Sequence, residues 1–244
     1  MRREVEPVRR PAVAVMAKVP GAAAVKSRLH PAVGAATATR LYDCFLRDRL
    51  DALATVEGID RMIAFTPADA GHVVAELAPR GFTLVAQRGA DLGARLDNLL
   101  TDLVAAGHAG AIAIDSDSPT LPMHYVAEAA ALLERHEADV VVGPCDDGGY
   151  YLIGVRTRHP ELFDAMPWST ERVLPLTLER AQHLGLRTHL LSPWFDVDTE
   201  ADLVRLQEEL AKEPGGPRRT VALLRELAAA GIFASARVTP ASRA

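Results

Sequence analysis

The sequence predicts a single three-layer α/β/α domain with a mostly parallel central sheet. Short apolar runs of strand length alternate with longer stretches of helical period, the pattern of βαβ units. The run 140–143 carries almost no polar residue, as does a strand covered on both faces. The run 111–114 leads straight into Asp115 and Asp117, placing carboxylates where open parallel sheets bind ligands.

Residues 12–17 give the first expected strand, followed by a loop over 18–31. A helical pattern then passes through Leu41, Phe45 and Leu46 to Leu53. Strand 62–65, helix 70–77 and strand 82–86 come next. From Leu92, residues Leu96, Leu99, Leu100, Leu103 and Val104 recur at intervals of three and four, which is one apolar helical face. Strand 111–114, helix 123–136 and strand 140–143 follow. Beyond Tyr150 the spacing loosens into strand 152–155, helix 170–184, strand 188–191 and helix 199–210. This half is expected to shape an acceptor site. Glu213-Pro214-Gly215-Gly216-Pro217 breaks the chain before a last helix over 221–230.

With 244 residues, 49% of them hydrophobic, the chain can bury one large core. A net charge of -5 opposes binding to nucleic acid or an anionic membrane, so small-molecule partners are expected. Cys44 and Cys145 are far apart and outside any C-x-x-C pattern, which excludes a disulfide framework and points to a reducing cytoplasm. Residues 1–11 read as a disordered leader without the apolar run of a signal peptide or membrane span. The expected organisation is a domain over 12–212, a C-terminal helix within 213–234 and a frayed tail over 235–244.

The strongest local feature is Asp115-Ser116-Asp117-Ser118-Pro119. Alternate residues of an extended chain point the same way, so both acids could aim at one hard cation; otherwise one caps a helix and the other is solvated. A second acidic cluster, Asp196-Val197-Asp198-Thr199-Glu200-Ala201-Asp202, opens a helix, with Thr199 or Asp198 as N-cap or as a ligand. The loop after the first strand holds Lys18, Gly21, Lys26, Ser27 and Arg28, cations and turn amides suited to a di- or triphosphate, or plain solvated charge. It lacks the second glycine of a Walker loop.

Gln87-Arg88-Gly89-Ala90-Asp91-Leu92-Gly93 allows close backbone approach, and its glutamine amide could read a base edge; an ordinary capped turn fits equally. Asp146-Asp147-Gly148-Gly149-Tyr150-Tyr151 concentrates more polar chemistry than a turn needs. Trp168-Ser169-Thr170 reads either as acceptor surface or as a helix start capped by Ser169 over a packed Trp168. The eight histidines show no metal spacing.

Together, the segments 17–29, 87–96, 114–122, 143–154, 167–170 and 195–203 resemble the GT-A-type nucleotide-diphospho-sugar transferase superfamily, which includes nucleotidyltransferases. More narrowly, they resemble a glycosyltransferase-like family associated with arsenosugar biosynthesis and related to 2-phospholactate guanylyltransferase. The resemblance implies Asp117 and Asp198 as ligands of Mg2+ or Mn2+, and Lys26 and Arg28 as phosphate-binding catalytic cations. It implies Gln87 and Gly93 as the base-reading pair. Lys18 and Gly21 would complete the nucleotide site with Asp115 in a supporting position, near the nucleotide or behind the metal ligands, and Asp147 would be catalytic, with Asp146 or Asp147 meeting the sugar or acting as base in glycosyl transfer. Asp146, Gly148, Gly149, Tyr150, Trp168, Ser169 and Thr170 would face the acceptor. The first loop departs from the superfamily in lacking Gly-Gly, and the Gln87-to-Gly93 spacing is one residue longer than in sugar nucleotidyltransferases.

The expected activity is nucleotidyl transfer from a nucleoside triphosphate to a small phosphorylated or carboxylate acceptor. Glycosyl transfer from a nucleotide sugar is the nearest alternative, and a nucleotide-binding scaffold the non-enzymatic one. The expected partners are the nucleotide donor and the acceptor, and a homodimer is an assembly open to such a chain. A phosphatase of the haloacid dehalogenase type would carry its Asp-x-Asp after the first strand, not the fourth.

Overall fold

The computed structural model describes residues 9–212 and 216–232. Seven strands form one sheet: β1 (Ala12–Lys18), β2 (Asp60–Thr66), β3 (Phe82–Ala86), β4 (Ala111–Ile114), β5 (Val140–Pro144), β6 (Tyr150–Val155) and β7 (Thr188–Leu190). Their order is β3-β2-β1-β4-β6-β5-β7, and β6 alone runs against the other strands. The sheet is thus mostly parallel, and the carboxyl ends of β1 and β4 lie side by side.

The helices are α1 (His30–Val33), α2 (Ala35–Leu53), α3 (Gly71–Leu77), α4 (Leu92–Ala105), α5 (Met123–Glu134), α6 (Val173–His183), α7 (Glu200–Lys212) and α8 (Arg218–Ala229). Strand alternation divides the core into two layers. Val13, Val15, Ile112 and Ile114 face α2 and α5, while Ala12, Ala14, Ala111 and Ala113 face the α4 side. Small residues on that face leave room for Leu96, Leu99, Leu100 and Leu103 of α4, and each buried leucine contributes roughly 1.5–3 kcal/mol of hydrophobic burial. Asp91 starts α4 by accepting the Ala94 amide at 2.8 Å.

A third cluster packs Leu29, Leu41 and Phe45 against Phe195, Val197, Leu203 and Leu206 and against Leu223, Leu224 and Leu227 of α8. The C-terminal helix is therefore docked on α2. Asp48 fixes its start: the buried carboxylate accepts the backbone N–H groups of Arg219 at 3.2 Å and Thr220 at 2.8 Å. The expected leader falls mainly on residues 1–8 and the expected tail on 235–244, outside the described residues, as are 213–215 of the chain break. No helix among the described residues is long and apolar enough to cross a membrane.

Candidate active site

The loop after β1 is anchored by its apolar residues: Leu29 is fully buried in the third cluster, and its amide bonds the Lys26 carbonyl at 2.9 Å. Lys26 itself is left-handed, with φ 49, and its side chain is only 3% exposed. Across from it, the turn after β4 is tied to the second acidic segment, because the Val197 amide donates to the Asp117 carbonyl at 3.1 Å. Phe195 and Val197 are buried, which fixes where Asp198 emerges.

The capping ambiguity at α7 resolves in favour of Thr199. The Asp202 carboxylate accepts the Thr199 amide at 2.7 Å and the Asp198 amide at 3.1 Å, and the Asp202 amide faces Thr199 Oγ1 at 3.4 Å. This frees the Asp198 carboxylate, which lies 2.7 Å from Lys26 Nζ and 3.6 Å from Arg28 Nη1. Asp117 Oδ2 lies 3.1 Å from the same ammonium. Burial alone would raise the Asp198 carboxyl, but Lys26, Arg28 and Lys18 hold it below its ordinary value. Burial likewise opposes the charge on Lys26, and Asp117 and Asp198 more than offset it, pushing the ammonium above its ordinary value.

Asp115 stands in a supporting position behind Asp117. Its carboxylate faces inward to the fully buried Arg49, at 3.2 Å, and to the Ser118 hydroxyl. Burial pushes it up to about 6, with Arg49 opposing the shift. These contacts hold the turn from within. Arg49 also donates to the Ser118 carbonyl. Tyr42 completes the scaffold: its hydroxyl meets Ser116 Oγ at 2.9 Å and accepts the Lys18 amide at 2.9 Å. Sequence reasoning missed both Arg49 and Tyr42.

The Cys145 sulfur and carboxylate oxygens of Asp147 and Asp196 lie within 4.8 Å of one another. Burial raises the Cys145 thiol, keeping it protonated, and burial with the nearby Asp198 charge pushes Asp196 up to about 7. A neutral thiol is a poor partner for a hard cation. Asp117 and Asp198 offer a better donor set: hard oxygens, converging on one point, 34% and 31% exposed, with open positions left for water and phosphate oxygens. They fit Mg2+ or Mn2+ provided the Lys26 ammonium withdraws.

Elsewhere the expected residues divide. Asp147 Oδ1 accepts the Gly149 amide at 2.9 Å, and Asp146 pairs with the Arg205 guanidinium. Gly148 has φ +86, its carbonyl accepts the Leu174 amide at the start of α6, and an added Cβ would lie 2.5 Å from Glu171 Cα. Gly148→Ala should therefore destabilise the fold by about 2 kcal/mol or more, since strain and a backbone clash coincide. Thermal melting checks this, and an unchanged Tm would show that the α6 entry yields.

Tyr150 packs toward the α4 side of the sheet. Successive strand residues point to opposite faces, so Tyr151 enters one core and Tyr150 the other, its hydroxyl buried and its ring 6.3 Å from Trp168 in edge contact. Trp168 packs against Gly93, where an added Cβ would lie 3.0 Å from Nε1 and 2.8 Å from the Phe163 carbonyl. Gly93 thus has a packing reason for having no side chain. Gln87 donates from its amide to the Ala64 carbonyl at 2.6 Å and more weakly to Ala17, so it is turned toward the strand ends. Ser169 is no cap: it is exposed at φ 63, α6 begins at Val173, and it is the Thr170 hydroxyl that bonds the Pro167 carbonyl at 2.7 Å. Gly21 is an exposed turn residue with φ +80.

A solved structure from Desulfovibrio desulfuricans G20, provisionally named a nucleotide-diphospho-sugar transferase, is 34% identical, with a TM-score of 0.81 over 90% of this chain and 95% of that one. A family model described as "Uncharacterized protein conserved in bacteria (DUF2064)" matches residues 49–170. The chain belongs to this family. The DUF2064 match contains Asp117 and Asp147, whereas Lys26 and Asp198 lie outside it. A cytidylyltransferase from Leptospira borgpetersenii serovar Hardjo-bovis (12% identity, TM-score 0.56, 92% and 97% covered) shares the fold. So does molybdopterin-guanine dinucleotide biosynthesis protein A from Archaeoglobus fulgidus (15%, TM-score 0.52, 83% and 100% covered). This DUF2064 chain has the GT-A-type fold of the nucleotide-diphospho-sugar transferase superfamily. No curated protein matches the sequence.

Proposed function

We propose that the protein is a metal-dependent nucleotidyltransferase acting on a nucleoside triphosphate and a small phosphorylated or carboxylate acceptor. The observation that carries this reading is the gathering of Lys18, Lys26 and Arg28 around the Asp117 and Asp198 carboxylates beyond β1 and β4. Three positive charges there meet the two negative charges of the carboxylates. The surplus suits a ligand that brings its own negative charge, and a triphosphate brings more than a diphosphate.

An acceptor oxygen would attack the α-phosphorus, forming a new P–O bond while the bond to the bridging oxygen breaks and pyrophosphate leaves with the electron pair. Lys26 and Arg28 would neutralise charge on the departing pyrophosphate, and Lys18 would orient the triphosphate. Asp117 and Asp198 would hold Mg2+ or Mn2+, which supplies further charge neutralisation when bound. Asp147, with Oδ1 engaged by Gly149, would have its other oxygen for an acceptor carrying a proton. The free thiols Cys44 and Cys145 fit a reducing cytoplasm.

Glycosyl transfer is the second reading, favoured by the name of the Desulfovibrio relative. One panel separates them: the protein is incubated with each triphosphate and each nucleotide sugar, with Mg2+ or Mn2+ and candidate acceptors. Pyrophosphate release is the expected result. Release of nucleoside diphosphate from a nucleotide sugar would replace the reading by glycosyl transfer, and ligand-dependent Tm shifts with neither product would leave a binding protein.

A further inference from the structure

The two carboxylates that fit a divalent ion already converge on a cation belonging to the chain. Lys26 Nζ stands 2.7 Å from Asp198 Oδ1 and 3.1 Å from Asp117 Oδ2. We propose that Lys26 is the resident counter-ion of the metal site: its ammonium holds Asp117 and Asp198 in the free protein and gives both up when a metal–nucleotide complex enters, moving to the phosphates. This rests on the nucleotide-using reading of the same site.

The geometry supports exchange rather than coexistence. Both carboxylates point at one place, and a divalent ion there would stand against an ammonium that is already buried. The root of Lys26 is fixed, because its left-handed backbone is held by the turn that buries Leu29, while four methylenes leave the ammonium free to swing. Without the ammonium, two like charges would face each other across the gap unneutralised, a pair that a divalent ion satisfies. Arg28 is a weaker substitute, 64% exposed and 3.6 Å from Asp198. Metal alone must therefore displace Lys26 and leave it buried without a partner. Metal arriving with phosphates gives Lys26 new acceptors, so ion and nucleotide enter together.

Mn2+ binding read from the EPR signal of the free ion, without nucleotide, tests the exchange in wild type, Lys26→Met, Lys26→Gln and Arg28→Met. Removing a charge-assisted competitor should tighten Mn2+ at least about tenfold in either Lys26 variant. Arg28→Met, which removes an exposed charge, should change it by no more than about threefold. Thermal melting establishes that each variant is folded, and Lys26→Gln carries the test if the methionine variant is not. Equal affinity in wild type and the Lys26 variants, or a gain no larger than that of Arg28→Met, would overturn the exchange while leaving the functional reading in place, provided wild type binds Mn2+ with a triphosphate. If no protein binds Mn2+ even with a triphosphate, the metal-dependent reading falls with it.

Discussion

Lys26→Met should lower turnover by about two to three orders of magnitude, the usual effect of removing one well-placed group that meets charge developing in the transition state. KM for the nucleotide should move far less, because Arg28 and Lys18 stay near Asp198 and, on the proposed function, would still meet the phosphates. The same substitution that tightens Mn2+ would thus slow the reaction, two opposite signs from one side chain. A merely structural lysine would not give them: loss of the Asp117 and Asp198 bridge by general loosening would weaken metal and activity together. Steady-state kinetics across nucleotide concentrations check this, and an unchanged kcat would remove Lys26 from the reaction.

The sheet was legible because its strands are written in apolar runs with sharp ends. The runs 82–86 and 111–114 match β3 and β4, and the acidic turn stands where a parallel sheet puts ligands. Element ends set by tertiary contact were less visible. The helix expected from 170 begins at Val173, because Ser169 takes a left-handed conformation and the entry is bound to the Gly148 carbonyl. Within the polar-looking cluster 146–151, strand alternation alone sends Tyr150 and Tyr151 to opposite faces, as their separate core clusters show. Arg49 was also within reach. It follows Leu41 and Phe45 at four-residue spacing and precedes Leu53, so it lies on the buried stripe of α2, where a charge requires a partner. That the partner is Asp115 depends on how β4 sits beside α2, which no local pattern states.

Arg49→Met should destabilise the protein by about 3–5 kcal/mol, because it leaves the Asp115 charge buried with the Ser118 hydroxyl and strips the Ser118 carbonyl of its donor. A fall in Tm of order 10 °C is expected for a chain of this size. Burial disfavours the charge on both partners, lowering Arg49 and raising Asp115 to about 6, so the pair is a weak source of stability in itself. Arg49→Met combined with Asp115→Asn should therefore melt higher than Arg49→Met alone, since no buried charge is stranded. Turnover should not recover with it. The ion pair fixes the turn that carries Asp117 toward Lys26, and an uncharged pair can fill the same space without setting that direction. A double variant as stable and as active as wild type would show that packing alone holds the turn; one melting no higher than Arg49→Met would show that the stranded charge was not the cost.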